Sequence, residues 1–341
     1  MLWRKLLKST YIGRFTDTVS DQIMKVVYLP QVLTIGELLV DIIRKDVDVS
    51  LGEPADFAGP FPGGAPAIFA DAVARLKMSS GIIGSVGKDE FGQCILRRLK
   101  KDGVDVTHVV ENEHLSTAVA FVAYFSDGSR RFVFHVGNSA AGMIDVSDAE
   151  EYVKNASAVH ISGSSLMMSE KLREACHRVV GIAKEAGAVI SFDPNIRREL
   201  MSVARMKKIV KPVLEVCDLL IPSADEFREL CRADEEKGVK EMIDNGIKIV
   251  AVKDGDKGCR LYTKDEKVTA RAFDVKELDP TGAGDAFSAG IVVGFLEKMN
   301  LGYLARFANA AGAKAVTAKG AMEGLAWREE IENMLLNIEG V

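Results

Sequence analysis

The chain has 341 residues, of which 48% are hydrophobic and 27% charged, a globular balance that argues against disorder and allows one large α/β domain or two ordinary ones. A net charge of −5 argues against a broad nucleic-acid surface, which needs clustered Lys and Arg. Five scattered cysteines (Cys94, Cys176, Cys217, Cys231, Cys259) form no Cys-x-x-Cys pair, which excludes a zinc knuckle and reads as reduced cytosolic thiols filling the core.

Residues 1–23 carry Arg4, Lys5, Lys8 and Arg14 with no continuous apolar stretch behind them, so a secretory signal does not fit. They read as an extension outside the fold, with a targeting role as the lesser alternative. The fold itself is expected over 24–341, opening on the β-rich Lys25-Val26-Val27-Tyr28. Val32-Leu33-Thr34-Ile35 predicts a buried strand. Ile68, Ala72, Val73 and Leu76 share one helical face, so residues 65–77 predict a helix. A second strand is expected over 81–86, and Asp89 can cap a helix that ends before Gly103. Further strands are expected at 157–162, 188–193, 217–221 and 247–252, each separated by a helix-length segment. That alternation predicts a parallel sheet covered by helices. No apolar run approaches the ~20 residues of a membrane-spanning helix.

Two segments break the rhythm. Residues 38–61 are extended and hold Pro54 and Pro60, with Pro62 just beyond. Residues 117–136 place Asp127-Gly128 between two apolar runs, a hairpin signal. Together they are expected to form a small sheet acting as a lid; the plain alternative is a hairpin on the edge of the main sheet.

The most informative stretch is Asp279-Pro280-Thr281-Gly282-Ala283-Gly284-Asp285, which runs into a helix through Phe287, Ile291 and Phe295. Glycines let successive N–H groups aim at one point, and a helix start attracts anions. Phosphoryl transfer needs charge stabilisation and a base beside the attacking hydroxyl. Asp285 stands where that base would be. The five histidines show no metal-ligand spacing, and His135 and His160, in apolar strands, read as packed residues.

The whole string resembles the C-terminal signature of the ribokinase-like (PfkB) carbohydrate kinases, and the resemblance extends over about residues 31–335. It implies a three-layer α/β/α fold with a mainly parallel central sheet plus a small β-sheet lid. It also implies that Asp285 is the catalytic base and that Gly282, Ala283 and Gly284 form an anion hole. Gly36-Glu37-Leu38-Leu39-Val40-Asp41 is similar to the family's first strand end, so Asp41 is implied to bind sugar hydroxyls. Gly63-Gly64-Ala65 matches its sugar-facing glycine pair, with Ile68 where Asn is usual.

Asp193-Pro194-Asn195-Ile196-Arg197 looks like a stretch of fructokinase and ketodeoxygluconate kinase relatives. It implies Asn195 near phosphate or metal-bound water and Arg197 near a phosphate or sugar acid; a surface ion pair is the plain reading of Arg197. Arg130 and Arg131 are further candidates for meeting a sugar acid. Ser223-Ala224-Asp225-Glu226 resembles the magnesium motif, with Ser223 in place of Asn and Glu226 acting through water. Lys253-Asp254-Gly255-Asp256-Lys257-Gly258 matches the nucleotide loop, with Lys253 a departure, and Asn309 falls beside the expected adenine. Asp279, Thr281, Ala315, Ala318 and Gly320 fall where relatives bind a monovalent cation such as K+.

The implied activity is ATP- and Mg2+-dependent phosphorylation of a sugar, with fructose favoured and ketodeoxygluconate, ribose or a nucleoside as rivals. A cytoplasmic homodimer joined through the lid is implied, with neither nucleic acid nor membrane as partner. An NAD-dependent dehydrogenase fits poorly, because no Gly-x-Gly-x-x-Gly follows the first strand. A silent sugar-binding regulator stays open through Ile68 and Ser223.

Overall fold

Buried apolar runs set the architecture of the computed structural model, which describes residues 29–339 apart from 199, 232 and 233. The strands are β1 (Val32–Ile35), β2 (Leu39–Arg44), β3 (Phe57–Gly63), β4 (Ser80–Gly87), β5 (Val109–Asn112), β6 (Ala118–Tyr124) and β7 (Arg130–His135). They continue with β8 (Ala158–Ser162), β9 (Val189–Asp193), β10 (Leu219–Leu220), β11 (Ile249–Lys253), β12 (Cys259–Tyr262) and β13 (Lys267–Ala270). The helices are α1 (Ala65–Arg75), α2 (Glu90–Asp102), α3 (Glu150–Lys154), α4 (Gly163–Met168), α5 (Glu170–Glu185) and α6 (Val203–Leu214). After them come α7 (Ala224–Leu230), α8 (Glu235–Asp244), α9 (Ala283–Leu296), α10 (Leu301–Ala315) and α11 (Arg328–Glu339).

The large sheet runs β13-β12-β11-β10-β9-β8-β1-β4-β5. It is parallel from β5 to β11 and turns antiparallel at β12 and β13. Strands such as β1, β4 and β8 are buried at every residue, so both faces need cover. One core, under α1, α2, α9, α10 and α11, covers one face; the other, under α3, α5, α6, α7 and α8, covers the opposite face. The three layers match the implied fold. Helix α9 is apolar nearly all round because it packs between α1 and α10.

A second sheet, β3-β2-β6-β7, stands apart from the first. The Asp127-Gly128 hairpin therefore lies in the separate sheet, not on the edge of the main one. Its long β2–β3 connection is held by a buried arginine. Arg44 donates to the carbonyls of Ala55, Ser50 and Glu53 at 2.7–2.8 Å and lies over the Phe57 ring.

Several expectations shift. The strand expected over 217–221 shrinks to Leu219–Leu220, while β5, β12 and β13 are short strands the sequence pattern did not announce. His160 is buried and stacked on Phe69, but His135 is exposed on the lid, with its ring edge against Phe121. All five cysteines are free; Cys94 and Cys231 are only half buried. The extension 1–23 and the stretch 24–28 lie outside the described residues. Among those described, no helix is long and apolar enough to cross a membrane.

Asp89 joins the two sheets. It caps α2 by accepting from Gly92 N–H at 2.8 Å, and it accepts from both the hydroxyl and N–H of Thr117 just before β6. Partial burial disfavours its charge, yet these donors prevail and hold its carboxyl below the ordinary range. Asp89→Ala is expected to lower stability by about 1–3 kcal/mol, read from urea unfolding at pH 7. The deficit should shrink as pH falls and the parental carboxylate protonates.

Candidate active site

Parallel strands end in a row, and polar side chains gather at those carboxyl ends. Glu37 follows β1, Asp193 ends β9, Ser223 follows β10 and Lys253 ends β11. Opposite them stands the first turn of α9. A cavity of about 760 Å³ lies between this row, that turn and strands β2 and β7 of the second sheet.

The turn is shaped by Gly282. Its φ of 88° is left-handed, and a Cβ there would meet the Ala321 carbonyl oxygen at 2.4 Å, so only glycine fits. No side chain caps α9. Among the described residues, the N–H groups of Gly282, Gly284 and Asp285 have no acceptor, so the helix start faces the cavity with open donors. Asp285 is 7% exposed and its carboxylate has neither hydrogen bond nor ion pair among the described residues. Burial, with Asp193 nearby, pushes its pKa up to about 8; Lys253 and Arg197 pull the other way.

Asp41 points into the cavity from β2. A Cβ on Gly63 would come within 2.3 Å of its Oδ2, so any side chain there would push the Asp41 carboxyl aside. Burial and the negative charge of Asp279 lift Asp41 to about 7, and no protein group donates to it among the described residues. Gly64 lines the cavity and Gly63 lies behind Asp41. Ile68 lines the wall and its Cγ2 would be 3.2 Å from a Cβ on Gly282, so it packs against that glycine and offers no hydrogen bond.

Arg197 makes no ion pair among the described residues. It lies over Phe132, which Arg130 flanks from the lid, and both guanidinium groups line the cavity. Arg131 points to the other lid face, over Phe125. Glu37, fully buried, accepts from Ser164 Oγ at 2.6 Å and Ser165 Oγ at 2.5 Å. Burial raises its pKa and the two serines temper the rise. Ser162 links Ser164 to the Asn195 amide, which donates to it at 3.1 Å.

The other end of the cavity is built from backbone. Ser223 caps α7, accepting from Glu226 N–H, while Glu226 accepts from Ser223 N–H and Ile196 N–H, both at 2.7 Å. Ser223 thus fills the cap position left by the expected Asn. Gly255 and Gly258 line the cavity through the turn after β11, but the Lys253 side chain does not join that turn. It reaches inward to pair with Asp193. Asn309 lines this end of the cavity while its amide is spent on the carbonyls of Ala270 and Arg271.

Behind the turn, the fully buried Asp279 accepts from Tyr124 Oη at 2.5 Å and from the N–H groups of Thr281 and Gly320 at 2.9 Å. Tyr124 also meets the Thr281 hydroxyl at 2.8 Å. Thr281 lines the cavity; Asp279, Ala315, Ala318 and Gly320 do not. The Asp279 carboxylate is therefore occupied by protein donors.

With this geometry in view, the pfkB family carbohydrate kinase model matches residues 29–328. The chain belongs to that family of carbohydrate kinases. Fructokinase-2 of Zea mays is 36% identical over 304 residues, covering 86% of this chain and 90% of the maize protein. Probable fructokinase-5 of Arabidopsis thaliana is 36% identical over 307 residues, covering 87% and 94%. Fructokinase from Xylella fastidiosa, solved with bound ATP, superposes with a TM-score of 0.78 at 26% identity, covering 91% of this chain and all of that one.

Sequence reasoning missed Glu37, Asp193, Phe132 and Tyr124. Glu37 and Asp193 had a signal: carboxylates closing buried strands, where an ion is costly without a purpose. Tyr124 and Phe132 had none, since alternation within a hairpin does not say what the inner face meets.

Asp285 burdens the fold of this carbohydrate kinase. The native chain holds its proton up to about pH 8, while the unfolded chain releases it near the ordinary value of 3.8. Ionisation therefore opposes folding increasingly across that window. Asp285→Asn is expected to be more stable than the parent by about 1–3 kcal/mol at pH 8, with the gain vanishing near pH 4. Urea unfolding at several pH values measures it.

Proposed function

We propose that this kinase transfers the γ-phosphoryl group of ATP to a primary hydroxyl of fructose, giving fructose 6-phosphate. One observation carries the reading: the buried Asp285 carboxyl, without a partner among the described residues, stands beside the open N–H groups of α9 in the cavity that Asp41 and the Gly255–Gly258 turn also line. The Zea mays and Arabidopsis thaliana relatives support fructose as acceptor. So does a double mutant of Vibrio cholerae O395 fructokinase, solved with fructose, ADP and potassium ion, at 27% identity and a TM-score of 0.76.

Asp41 and the Gly63–Gly64 backbone hold the sugar hydroxyls; a carboxylate accepts two at once. Asp285 takes the proton from the primary hydroxyl as its oxygen attacks phosphorus. The N–H groups of Gly282, Ala283 and Gly284 stabilise the charge that develops on the moving group. The turn at Gly255–Gly258 and the small residues beside Asn309 bound the nucleotide. Segments 38–61 and 117–136 act as the lid that excludes water.

The oxygen donors here suit a hard cation. Glu226, each of whose oxygens already accepts one N–H, would hold Mg2+ through water, with Asn195 beside it. Bound with the triphosphate, Mg2+ supplies charge neutralisation. A K+ at Asp279, Thr281, Ala315, Ala318 and Gly320 would have to be held by main-chain carbonyls, because protein donors already occupy the Asp279 carboxylate. Five free thiols support a cytoplasmic setting. The outward-facing Phe121 and the 45% exposed Val133 support a homodimer through the lid.

A sugar acid is the second reading, favoured by the two guanidinium groups beside Phe132. A coupled ADP-release screen over fructose, ketodeoxygluconate, ribose and nucleosides decides between them. Fructose is expected to give the largest kcat/KM; no ADP release with any sugar would sink the kinase reading. Asp285→Asn is expected to lower kcat by about 10²–10⁴-fold with an unchanged circular dichroism spectrum. In the parent, kcat/KM should rise with pH to a plateau above about 8, where the free carboxyl has ionised. A variant with near-parental turnover would remove Asp285 from the role of base.

A further inference from the structure

Lys253 ends β11 with its side chain inside the cavity, where it is 16% exposed. Its ammonium donates to Asp193 Oδ2. The same oxygen accepts from Ser288 Oγ at 2.9 Å, and the other accepts from Asn195 N–H at 3.1 Å. Ser288 belongs to α9, so Asp193 ties the strand ends to that helix. The ammonium also lies beside the anion-binding turn: a Cβ built on Gly284 would be 3.4 Å from Nζ.

That position is unfavourable by itself. A helix start carries partial positive charge and its N–H groups repel a cation. An ammonium and a ring of open N–H groups are compatible when an anion lies beside both. In the free chain Asp193 supplies the negative charge for the ammonium, while the N–H groups of Gly284 and Asp285 remain open. The charged and titratable groups facing Lys253 are Asp193 from β9, Glu226 from α7, Asp285 from α9 and the buried His160 from β8. Burial works against its charge, and the acidic neighbours, Asp193 first, outweigh burial and hold its ammonium above the ordinary lysine range.

We propose that the Lys253 ammonium binds a non-bridging oxygen of the phosphoryl group in transfer, sharing that anion with the N–H groups of α9. This rests on the kinase reading above. In the step, the sugar oxygen forms a bond to the γ-phosphorus as the bond from that phosphorus to the β–γ bridging oxygen breaks. The hydroxyl proton passes to Asp285 and ADP departs. Lys253 keeps its three protons throughout and only donates hydrogen bonds, exchanging part of its contact with Asp193 for one with the phosphoryl oxygen.

The contrasting role, a purely structural partner for Asp193, predicts no preference between nucleotides. The test uses the full chain with Mg2+ and compares ADP with AMP-PNP by calorimetry, for the parent, Lys253→Met and Lys253→Arg. Lys253→Met is expected to weaken AMP-PNP by about tenfold or more and ADP by less than about twofold. Its kcat with sugar is expected to fall by about 10²–10³-fold, and Lys253→Arg to recover at least about tenfold of that loss. Equal weakening of both nucleotides, or a Lys253→Met kcat within about threefold of the parent, overturns the proposal. If Lys253→Met does not fold because Asp193 is left without its counter-charge, Asp193→Asn/Lys253→Met is compared with Asp193→Asn on the same criteria. A parental chain that releases no ADP with any sugar tells against the kinase reading. A parent that turns over beside an equally active Lys253→Met tells against this inference alone.

Discussion

Asp285 has been taken out of water and, among the described residues, given no hydrogen bond in return, next to a helix start that has donors to spare. Leaving a carboxylate in that condition is expensive. The surrounding structure keeps it there. Helix α9 is clamped between α1 and α10, and Gly282 fixes the angle at which the chain enters it. The cations that soften the cost, Lys253 and Arg197, come from separate strand ends on the opposite wall. A large parallel sheet is what brings such distant pieces of chain to one edge, so the fold and the site answer the same requirement.

The lid follows a different logic. Its four strands form no thick core of their own, and polar contacts make up much of the deficit. Arg44 spends its guanidinium on three carbonyls of one loop, and Asp89 bridges α2 to the start of β6. Such joints fix the second sheet against the main body through a few polar side chains rather than through a shared apolar core.

Much of this was legible in the sequence, for physical reasons. Strands buried on both faces must be continuously apolar, so β1, β4, β8 and β9 could be read directly. The Asp279–Asp285 string could be read because the whole of it resembles a family signature; a glycine-rich turn alone is usually just a turn. Short or edge strands such as β5 and β13 could not, since half-exposed four-residue runs carry no clear period. The direction of a long side chain was also hidden. Lys253 sits in a string read as the nucleotide loop, and only the folded chain shows that its side chain turns inward to Asp193. Ser223 looked like the loss of a functional Asn, whereas in place it satisfies the same helix end.

One hydroxyl gives the two halves of the molecule a common equilibrium. Tyr124 belongs to the lid, yet its Oη is bonded to Asp279 and Thr281, the residues that lead into the α9 turn. A displacement of the second sheet that moved Tyr124 would therefore cost the turn these two hydrogen bonds, and a displacement of the turn would cost the sheet the same two. By thermodynamic reciprocity, whatever factor the first substrate adds to the affinity of the second must be returned in full. The order of arrival then becomes a matter of rates, because neither partner has a thermodynamic claim to precede the other.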